Sequence, residues 1–211
     1  MQFSPDRTRT LQTPRGEVRA VRDLTPAELA DLELDPGIGV FAHYRSLITN
    51  KETLDKVARD PKGSVCAVIA SQGRIVAYCL RRPPEPGERW ARMDPPIMLE
   101  IMGETARGWR EQGLMKPLTA MACQYPEVED HILYIVGYSW TWDLDGTKKS
   151  VLEYRDTLIH LMTPLGFKQY PTNEPNVGLR PENLFMARLG ANLPPQVKKR
   201  FTNLLFGIQE D

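Results

Sequence analysis

The sequence lacks any apolar run long enough to cross a membrane. Its longest uncharged apolar stretch is HILYIVGYSWTW, residues 131–142, whereas a membrane-spanning helix needs about 20 such residues. The first ten residues, MQFSPDRTRT, also lack the apolar segment of a secretory signal. We therefore expect a protein that has no membrane partner and works in the cytoplasm.

Net charge is lacking as well. The 211 residues include 27 Lys and Arg against 27 Asp and Glu, so the formal net charge is zero. Nucleic acids and anionic membranes attract proteins that carry a strong positive field. We therefore predict no nucleic-acid partner, and we expect any charged ligand to be bound by a local patch.

Residues that bind metals are few and scattered. The chain has three cysteines, Cys66, Cys79 and Cys123, and three histidines, His43, His131 and His160. The cysteines form no CxxC pair, and the histidines have no spacing typical of a metal site. The pattern predicts reduced thiols in a reducing compartment and no metal.

The elements that are present have the predicted order β α α β β β α β α β β. Strands are expected at 16–21, 64–71, 74–82, 97–106, 131–142, 167–170 and 183–190, and helices at 26–34, 51–60, 114–125 and 148–162. This order indicates the α/β (α+β) class, with an open mixed sheet of about six or seven strands and helices on both faces. We expect one domain over 1–211, with a core at about 16–190, an amino-terminal arm at 1–15 and a carboxyl-terminal extension at 191–211.

Two β-rich runs around Gln72-Gly73 predict a hairpin with a two-residue turn. In that register the numbers of paired residues add up to 145, so Cys66 faces Cys79. We interpret the two as reduced thiols packed as small apolar groups.

The turn at 107–113 joins a predicted strand to the amino terminus of a predicted helix. Backbone N–H groups at such a terminus have no partner within the helix, and the helix dipole adds positive potential. Gly113 has no side chain that would block a phosphate from the backbone. The segment Arg110-Glu111-Gln112-Gly113-Leu114-Met115-Lys116 is therefore a candidate site for a diphosphate.

The element order and this turn resemble the GNAT superfamily of N-acetyltransferases. The phosphate loop of that superfamily is R/Q-x-x-G-x-G/A, and Arg110, Gly113 and Met115 stand at its positions, with Met115 in place of the small residue. Gly166-Phe167 matches the "GF" that follows the fourth helix of the superfamily. The resemblance implies a mostly antiparallel GNAT sheet and acetyl-CoA as co-substrate, with no metal.

A more specific resemblance is to the acetoin-utilisation acetyltransferases, the AcuA family. It rests on Trp140-Thr-Trp142-Asp143-Leu144-Asp-Gly146-Thr147-Lys148-Lys149, Glu153-Tyr154-Arg155, Leu11-Gln12-Thr13, Glu88-Arg89-Trp90, Asn183 and Met186-Ala187-Arg188. It extends from about residue 11 to about residue 207. The resemblance implies that the protein acetylates a lysine of acetyl-CoA synthetase and thereby inactivates that enzyme.

Two glutamates are candidates for the general base. A lysine amine has an unperturbed pKa of about 10.4 and is protonated at neutral pH, so its proton has to be removed before it attacks a thioester. Glu100 and Glu104 lie on one predicted strand, and burial raises the pKa of a carboxyl group towards the useful range. Glu100 aligns better with the catalytic glutamate of the superfamily. Backbone N–H groups from Gly103 to Thr105 are the candidates for polarising the thioester carbonyl.

The proton donor to the leaving thiolate is less clearly marked. In the superfamily a tyrosine four residues before the "GF" glycine serves this purpose, and this chain has Met162 there. Tyr154 or Tyr138 are the candidates that remain, or CoA leaves as the thiolate.

Aromatic and basic residues follow at 138–149. On the predicted strand Tyr138, Trp140 and Trp142 point to one side, either to fill the core or to form a wall that binds the acyl-pantetheine arm or the acceptor lysine. Lys148 and Lys149 precede a helix whose dipole disfavours cations there. They are either solvated or bind an anion of the cofactor or of the protein substrate. Ser150 and Glu153 could cap the helix and leave both lysines in the turn before it.

The leading hypothesis is an acetyl-CoA-dependent acetyltransferase whose acceptor is a lysine of a partner protein. One alternative is an acetyltransferase for a small amine. Another is a module that binds its partner and inhibits it without chemistry.

Overall fold

The computed structural model of the chain describes residues 3–40 and 50–208; His43 lies outside these ranges. The described strands are β1 (Thr8–Thr13), β2 (Gly16–Val21), β3 (Glu33–Leu34), β4 (Ser64–Ala70), β5 (Arg74–Arg82), β6 (Met98–Thr105), β7 (Ile132–Gly137), β8 (Lys168–Gln169) and β9 (Leu184–Leu189). The described helices are α1 (Pro26–Ala30), α2 (Lys51–Arg59), α3 (Met115–Ala122), α4 (Leu144–Thr147), α5 (Val151–Met162), α6 (Pro175–Gly178) and α7 (Pro195–Leu205).

The mixed sheet with flanking helices is confirmed, although the described strands number nine rather than six or seven. Their hydrogen-bonded order is β1-β2-β4-β5-β6-β7-β9-β8, and β3 pairs with β5. The additional strands are β1, which is polar, and β3, which has two residues. Neither carries the apolar alternation by which a strand is recognised in a sequence.

The chain divides into two compact units, and the single-domain expectation stays a prediction. The first unit contains residues up to Arg82 and Ile101–Gln124. In it, β1, β2, β4 and β5 pair antiparallel in that order. Leu29 of α1 and Leu54 of α2 belong to one apolar cluster with Tyr78 and Leu80. α3 contacts β4 and β5, and the terminal methyl group of its Met115 lies beside Gly103 of β6.

The hairpin of β4 and β5 has the predicted register in the part away from the turn, from Ser64 opposite Arg81 to Val68 opposite Ala77. Cys66 pairs with Cys79, as expected, and both are buried and free. Burial raises the pKa of the Cys66 thiol to about 11, so that thiol is protonated at neutral pH. The prediction of a two-residue turn was wrong. A register shift between Val68 and Ile69 leaves three residues, Ser71–Gly73, in the turn.

The expected amino-terminal arm contains a strand. Every residue of β1 pairs with β2, from Thr8 opposite Val21 to Thr13 opposite Gly16. β1 has no fully buried residue. Because an edge strand of this kind buries no continuous apolar face, its sequence TRTLQT carries little strand signal.

The second unit contains Pro83–Glu100 and the chain from Tyr125 onwards. β6 pairs parallel with β7 at Met98, Leu99 and Glu100, and β9 pairs antiparallel with both β7 and β8. Its core cluster includes Trp90 and Phe201. Phe201 belongs to α7, so the carboxyl-terminal extension is packed onto this unit.

The strand predicted at 131–142 ends at Gly137, so Tyr138, Trp140 and Trp142 do not share one strand face. Ser139–Thr141 form a short 3-10 helix. The Ser139 amide donates to the side chain of Asn183 at 2.8 Å, and the Tyr138 carbonyl accepts from the Thr141 amide at 2.9 Å. These bonds take up backbone groups that a continuing strand would have paired with its neighbour.

Two further findings concern membranes and metals. Across residues 3–40 and 50–208, no helix is both long and apolar enough to span a bilayer. Within the same ranges, His, Cys, Asp and Glu side chains form no group of three or more that could hold a metal ion.

Candidate active site

The candidate phosphate loop, residues 107–114, is anchored to the strands of the first unit. The amide of Ala106 donates to the Val76 carbonyl at 2.9 Å, and that of Arg107 to the Gly37 carbonyl at 3.0 Å. Nε of Arg110 donates to the Thr105 carbonyl at 3.3 Å. These bonds hold both ends of the first turn, so the segment leading into α3 starts from a defined position.

The amides that follow have no acceptor within the described chain. No described group accepts a hydrogen bond from the backbone N–H groups of Glu111–Lys116, and no side chain caps α3. The Thr105 hydroxyl and the Gln112 side-chain oxygen are buried, also without a partner among the described residues. These six successive donors, which lead into the amino terminus of α3, are a candidate site for an anion.

Gly113 leaves this site open. Its φ is +71°, and a Cβ at this position would meet nothing within 4 Å. Glu111 has a φ of +62°, which is uncommon for a residue with a side chain. Gly113 is exposed, so the absence of a side chain there leaves its backbone accessible to a ligand.

Gly103, a predicted cofactor residue, is also required by packing. A Cβ at Gly103 would lie 2.5 Å from the Tyr78 carbonyl oxygen and 2.8 Å from Cε of Met115. We expect Gly103→Ala to lower the free energy of unfolding by about 1–3 kcal/mol, as overpacking does. Urea unfolding measures the loss, and Gly87→Ala is the control, because a Cβ there meets nothing within 4 Å. Equal stability of the two variants would contradict this expectation.

Glu104 is held by contacts within the first unit. Its carboxylate accepts from the Gly39 amide at 2.6 Å and from the Tyr78 hydroxyl at 3.4 Å. Burial, together with the negative charge of Glu104, raises the pKa of Tyr78 well above its usual value. Glu104 therefore ties the segment at Gly39 to β6, which favours a structural role.

Glu100 lies in the second unit and is buried, with 8% of its surface exposed. Its register partner on β7 is Tyr134, whose hydroxyl donates to Glu88 at 3.1 Å. The Tyr134 ring contacts Trp90 with 5.8 Å between ring centroids. Glu100 is thus a buried carboxylate on a strand whose partner residue, Tyr134, belongs to the aromatic cluster of the second unit.

Tyr138, one of the two candidate proton donors, lies within electrostatic range of Glu100. Burial raises the pKa of Tyr138, and the negative charges of Glu174, Glu100 and Glu88 raise it further. Its ring stacks on Trp140 with 4.8 Å between centroids. Sequence reasoning assigned no role to Glu88 or Glu174. Glu88 belongs to Glu88-Arg89-Trp90, one of the segments that carry the family resemblance, whereas no sequence pattern marked Glu174.

The other aromatic residues form a separate stack. Trp142 is buried and stacks on Tyr154 with 5.1 Å between ring centroids. Trp140 has 36% of its surface exposed. Of the two predicted substrate-binding tryptophans, therefore, Trp142 contributes to packing and Trp140 offers a surface. Met162, at the position of the usual tyrosine, is buried.

Lys148 and Lys149 lie between α4 and α5, in the turn and not in the helix. Ser150 and Glu153 form the predicted capping box of α5, which confirms this placement. Lys148 has a φ of +57° and ends α4. Because both lysines precede the first helical residue, the dipole of α5 disfavours them less than their place in the sequence implies.

Comparison with known proteins gives relatives over nearly the whole chain. Acetoin utilization protein AcuA of Bacillus licheniformis is 30% identical over 197 residues, which are 93% of this chain and 92% of that protein. The crystal structure of an acetoin utilization protein from Exiguobacterium sibiricum has a TM-score of 0.87 at 30% identity and covers 95% of this chain and 93% of its own. No protein-family profile matches the chain.

A more distant likeness concerns the fold alone. A GNAT-superfamily phosphinothricin acetyltransferase from Sinorhizobium meliloti, whose structure contains AcCoA, has a TM-score of 0.50 at 14% identity. It covers 84% of this chain and 94% of its own. The GNAT-like fold expected from the sequence is confirmed.

Proposed function

The chain belongs to the family of the acetoin utilization protein AcuA, acyltransferases with the GNAT fold, and we propose that it transfers acetyl from acetyl-CoA to a lysine of a partner protein. The observation that carries this proposal is the run of six backbone N–H groups, Glu111–Lys116, without an acceptor in the described chain. Such a run binds the diphosphate of CoA without a large net charge, in keeping with a chain of zero net charge.

The proposed loop residues divide by function. The amides from Glu111 to Lys116 bind diphosphate oxygens, and Arg110 holds the loop through the Thr105 carbonyl. Gly113 admits the cofactor to the backbone, as its open surroundings support. Amides near Gly103 and Thr105 polarise the thioester carbonyl and stabilise the charge that develops on its oxygen.

Glu100 is the proposed base. The acceptor amine loses a proton to Glu100, directly or through water, and its nitrogen bonds to the thioester carbonyl carbon. The nitrogen of the tetrahedral intermediate then loses its second proton to water, the C–S bond breaks, the sulfur takes up a proton, and the acetyl group stays on nitrogen as an amide. Glu100 is preferred to Glu104 because it is the buried one of the two and aligns better with the catalytic glutamate of the superfamily, while the bonds from Gly39 and Tyr78 give Glu104 a structural role.

Tyr138 is the proposed proton donor to the CoA sulfur, in place of the predicted Tyr154. Because its pKa is raised, its hydroxyl keeps the proton across the pH range in which an amine acceptor reacts. Tyr154 is a ring partner of Trp142, which favours a packing role.

A matched pair of variants tests this assignment. Tyr138→Phe is expected to lower kcat about 10²-fold, because a general acid contributes at least that much. Tyr154→Phe should leave kcat within a few-fold of wild type. Phe keeps the stacking ring in both variants, so steady-state kinetics isolates the hydroxyl. If Tyr154→Phe lowers kcat more than Tyr138→Phe does, Tyr154 is the proton donor.

For the acceptor, we propose a lysine of acetyl-CoA synthetase, in the cytoplasm. The support is the family relation and the negative charge that Glu88 and Glu174 place around Tyr138, next to the exposed Trp140. An ammonium group is attracted by carboxylates and by an aromatic face.

The function is tested by incubating the protein with labelled acetyl-CoA and purified acetyl-CoA synthetase. Intact-mass spectrometry should show one added acetyl group, peptide mapping should place it on a lysine, and synthetase activity should fall with labelling. Label that enters only small molecules of a lysate would support the small-amine alternative. Inhibition without acetyl-CoA would support a binding inhibitor.

A further inference from the structure

A second feature of the first unit lies directly beside the phosphate loop. An open surface cleft of about 490 Å³ is lined by Arg15, Glu17, Ala70, Ser71 and Trp109. Arg15 and Glu17 come from the β1–β2 turn and its second strand, and Ala70 and Ser71 from the end of β4. Trp109 belongs to the first turn of the loop itself.

Arg15 is held there by an aromatic contact. Its guanidinium carbon lies 5.3 Å from the centroid of the Trp109 ring, which is within cation–π range. The same group lies 3.6 Å from the position a Cβ would have on Gly108. The guanidinium of Arg15, a solvent-exposed residue, therefore lies against the backbone of the loop at Gly108, two residues before Arg110.

The hydrogen-bonding capacity of this guanidinium is unused. Across residues 3–40 and 50–208, no side chain or carbonyl accepts from it, and no carboxylate pairs with it. Glu17, the acidic residue of the cleft, accepts instead from the side-chain amide of Gln12 at 3.3 Å. A guanidinium presents a planar fork of N–H donors that matches the oxygens of a phosphate monoester.

We propose that Arg15, supported by Trp109, binds the 3′-phosphate on the adenosine end of CoA. This inference rests on the proposed function, because it assumes that the diphosphate of the same molecule lies on Glu111–Lys116. Backbone amides would then bind the diphosphate. The 3′-phosphate, which is the only phosphate monoester of CoA, would bind to the guanidinium of Arg15. Arg15 is not part of the phosphate-loop motif. It comes from the turn between β1 and β2, almost 100 residues earlier in the chain.

Calorimetry with two probes, CoA and 3′-dephospho-CoA, tests the inference. Wild type should bind CoA roughly tenfold to a hundredfold tighter than dephospho-CoA, the range of a charge-assisted hydrogen bond. Arg15→Ala and Arg15→Gln should weaken CoA binding to the level of dephospho-CoA and leave dephospho-CoA binding unchanged. Arg9→Ala, an exposed arginine on β1, makes the same change of net charge and should keep the full preference.

The outcomes separate this inference from the function on which it rests. If wild type binds neither probe, the proposed function fails and the inference fails with it. If wild type binds both equally, or if Arg15→Ala weakens both equally, Arg15 does not read the 3′-phosphate and the acetyl-CoA site stands. Thermal unfolding without ligand identifies any variant whose loss of binding comes from misfolding. In that case the second Arg15 variant decides.

Discussion

Replacing Glu100 with Gln is expected to lower kcat about 10²- to 10⁴-fold, the range that a general base contributes. The amide keeps the size of the side chain but cannot take a proton from the attacking amine. Because Glu100 is not proposed to contact the diphosphate, the affinity for acetyl-CoA should stay within a few-fold of wild type. Steady-state kinetics with the partner protein, and calorimetry with acetyl-CoA, measure the two quantities separately.

Glu104→Gln is the matched control for this prediction. It makes the same chemical change on the same strand, at a carboxylate that accepts from the Gly39 amide and the Tyr78 hydroxyl. We expect it to lower stability and to change kcat by less than about tenfold. Unchanged turnover of Glu100→Gln would remove Glu100 from the mechanism. If Glu100→Gln still inhibits the partner without acetylating it, the binding-inhibitor alternative gains support.

Gly113→Asp is expected to abolish measurable binding of acetyl-CoA. The added carboxylate would stand where the diphosphate approaches the amides, so it blocks that approach and repels the phosphate charge. The fold should persist, because a Cβ at Gly113 meets nothing within 4 Å. Calorimetry should detect no heat of binding, while circular dichroism and thermal unfolding stay close to wild type.

Gly207→Asp controls for backbone strain and added charge. Gly207 has a φ of +66°, close to the +71° of Gly113, and follows α7 at the far end of the chain. Both variants force an aspartate into the left-handed region. Gly207→Asp should bind acetyl-CoA like wild type. If Gly113→Asp also binds with wild-type affinity, the diphosphate does not lie on this loop.

The sequence allowed most of the fold to be predicted, and the misses have physical causes. The capping boxes at Thr25 and Ser150 are local, since each pairs a side chain with the backbone three residues on, and both were recognised. β1 was missed because it carries no apolar face. The end of β7 was missed because the amide of Ser139 bonds to Asn183, a partner 44 residues away.

The sequence predicted which residues belong to the candidate site, but only part of how these residues are arranged in space. The spacing of Arg110 and Gly113 before α3 is a local pattern, and the unpaired amides lie where it placed them. Which carboxylates surround Tyr138 depends on segments that meet in space. Glu88 and Glu174 lie on segments far apart in sequence, and their charges act together on Tyr138.

By itself, the sequence determined the class of the fold, the family and the place of the candidate phosphate loop, because these follow from short-range periodicity, capping and the motifs that carry the family resemblance. Only the tertiary structure decided how the two glutamates of β6 differ, which aromatic rings stack, and that Arg15 lies beside the loop with no hydrogen-bond acceptor among the described residues. These depend on contacts between residues far apart in the chain, and no local pattern encodes such contacts.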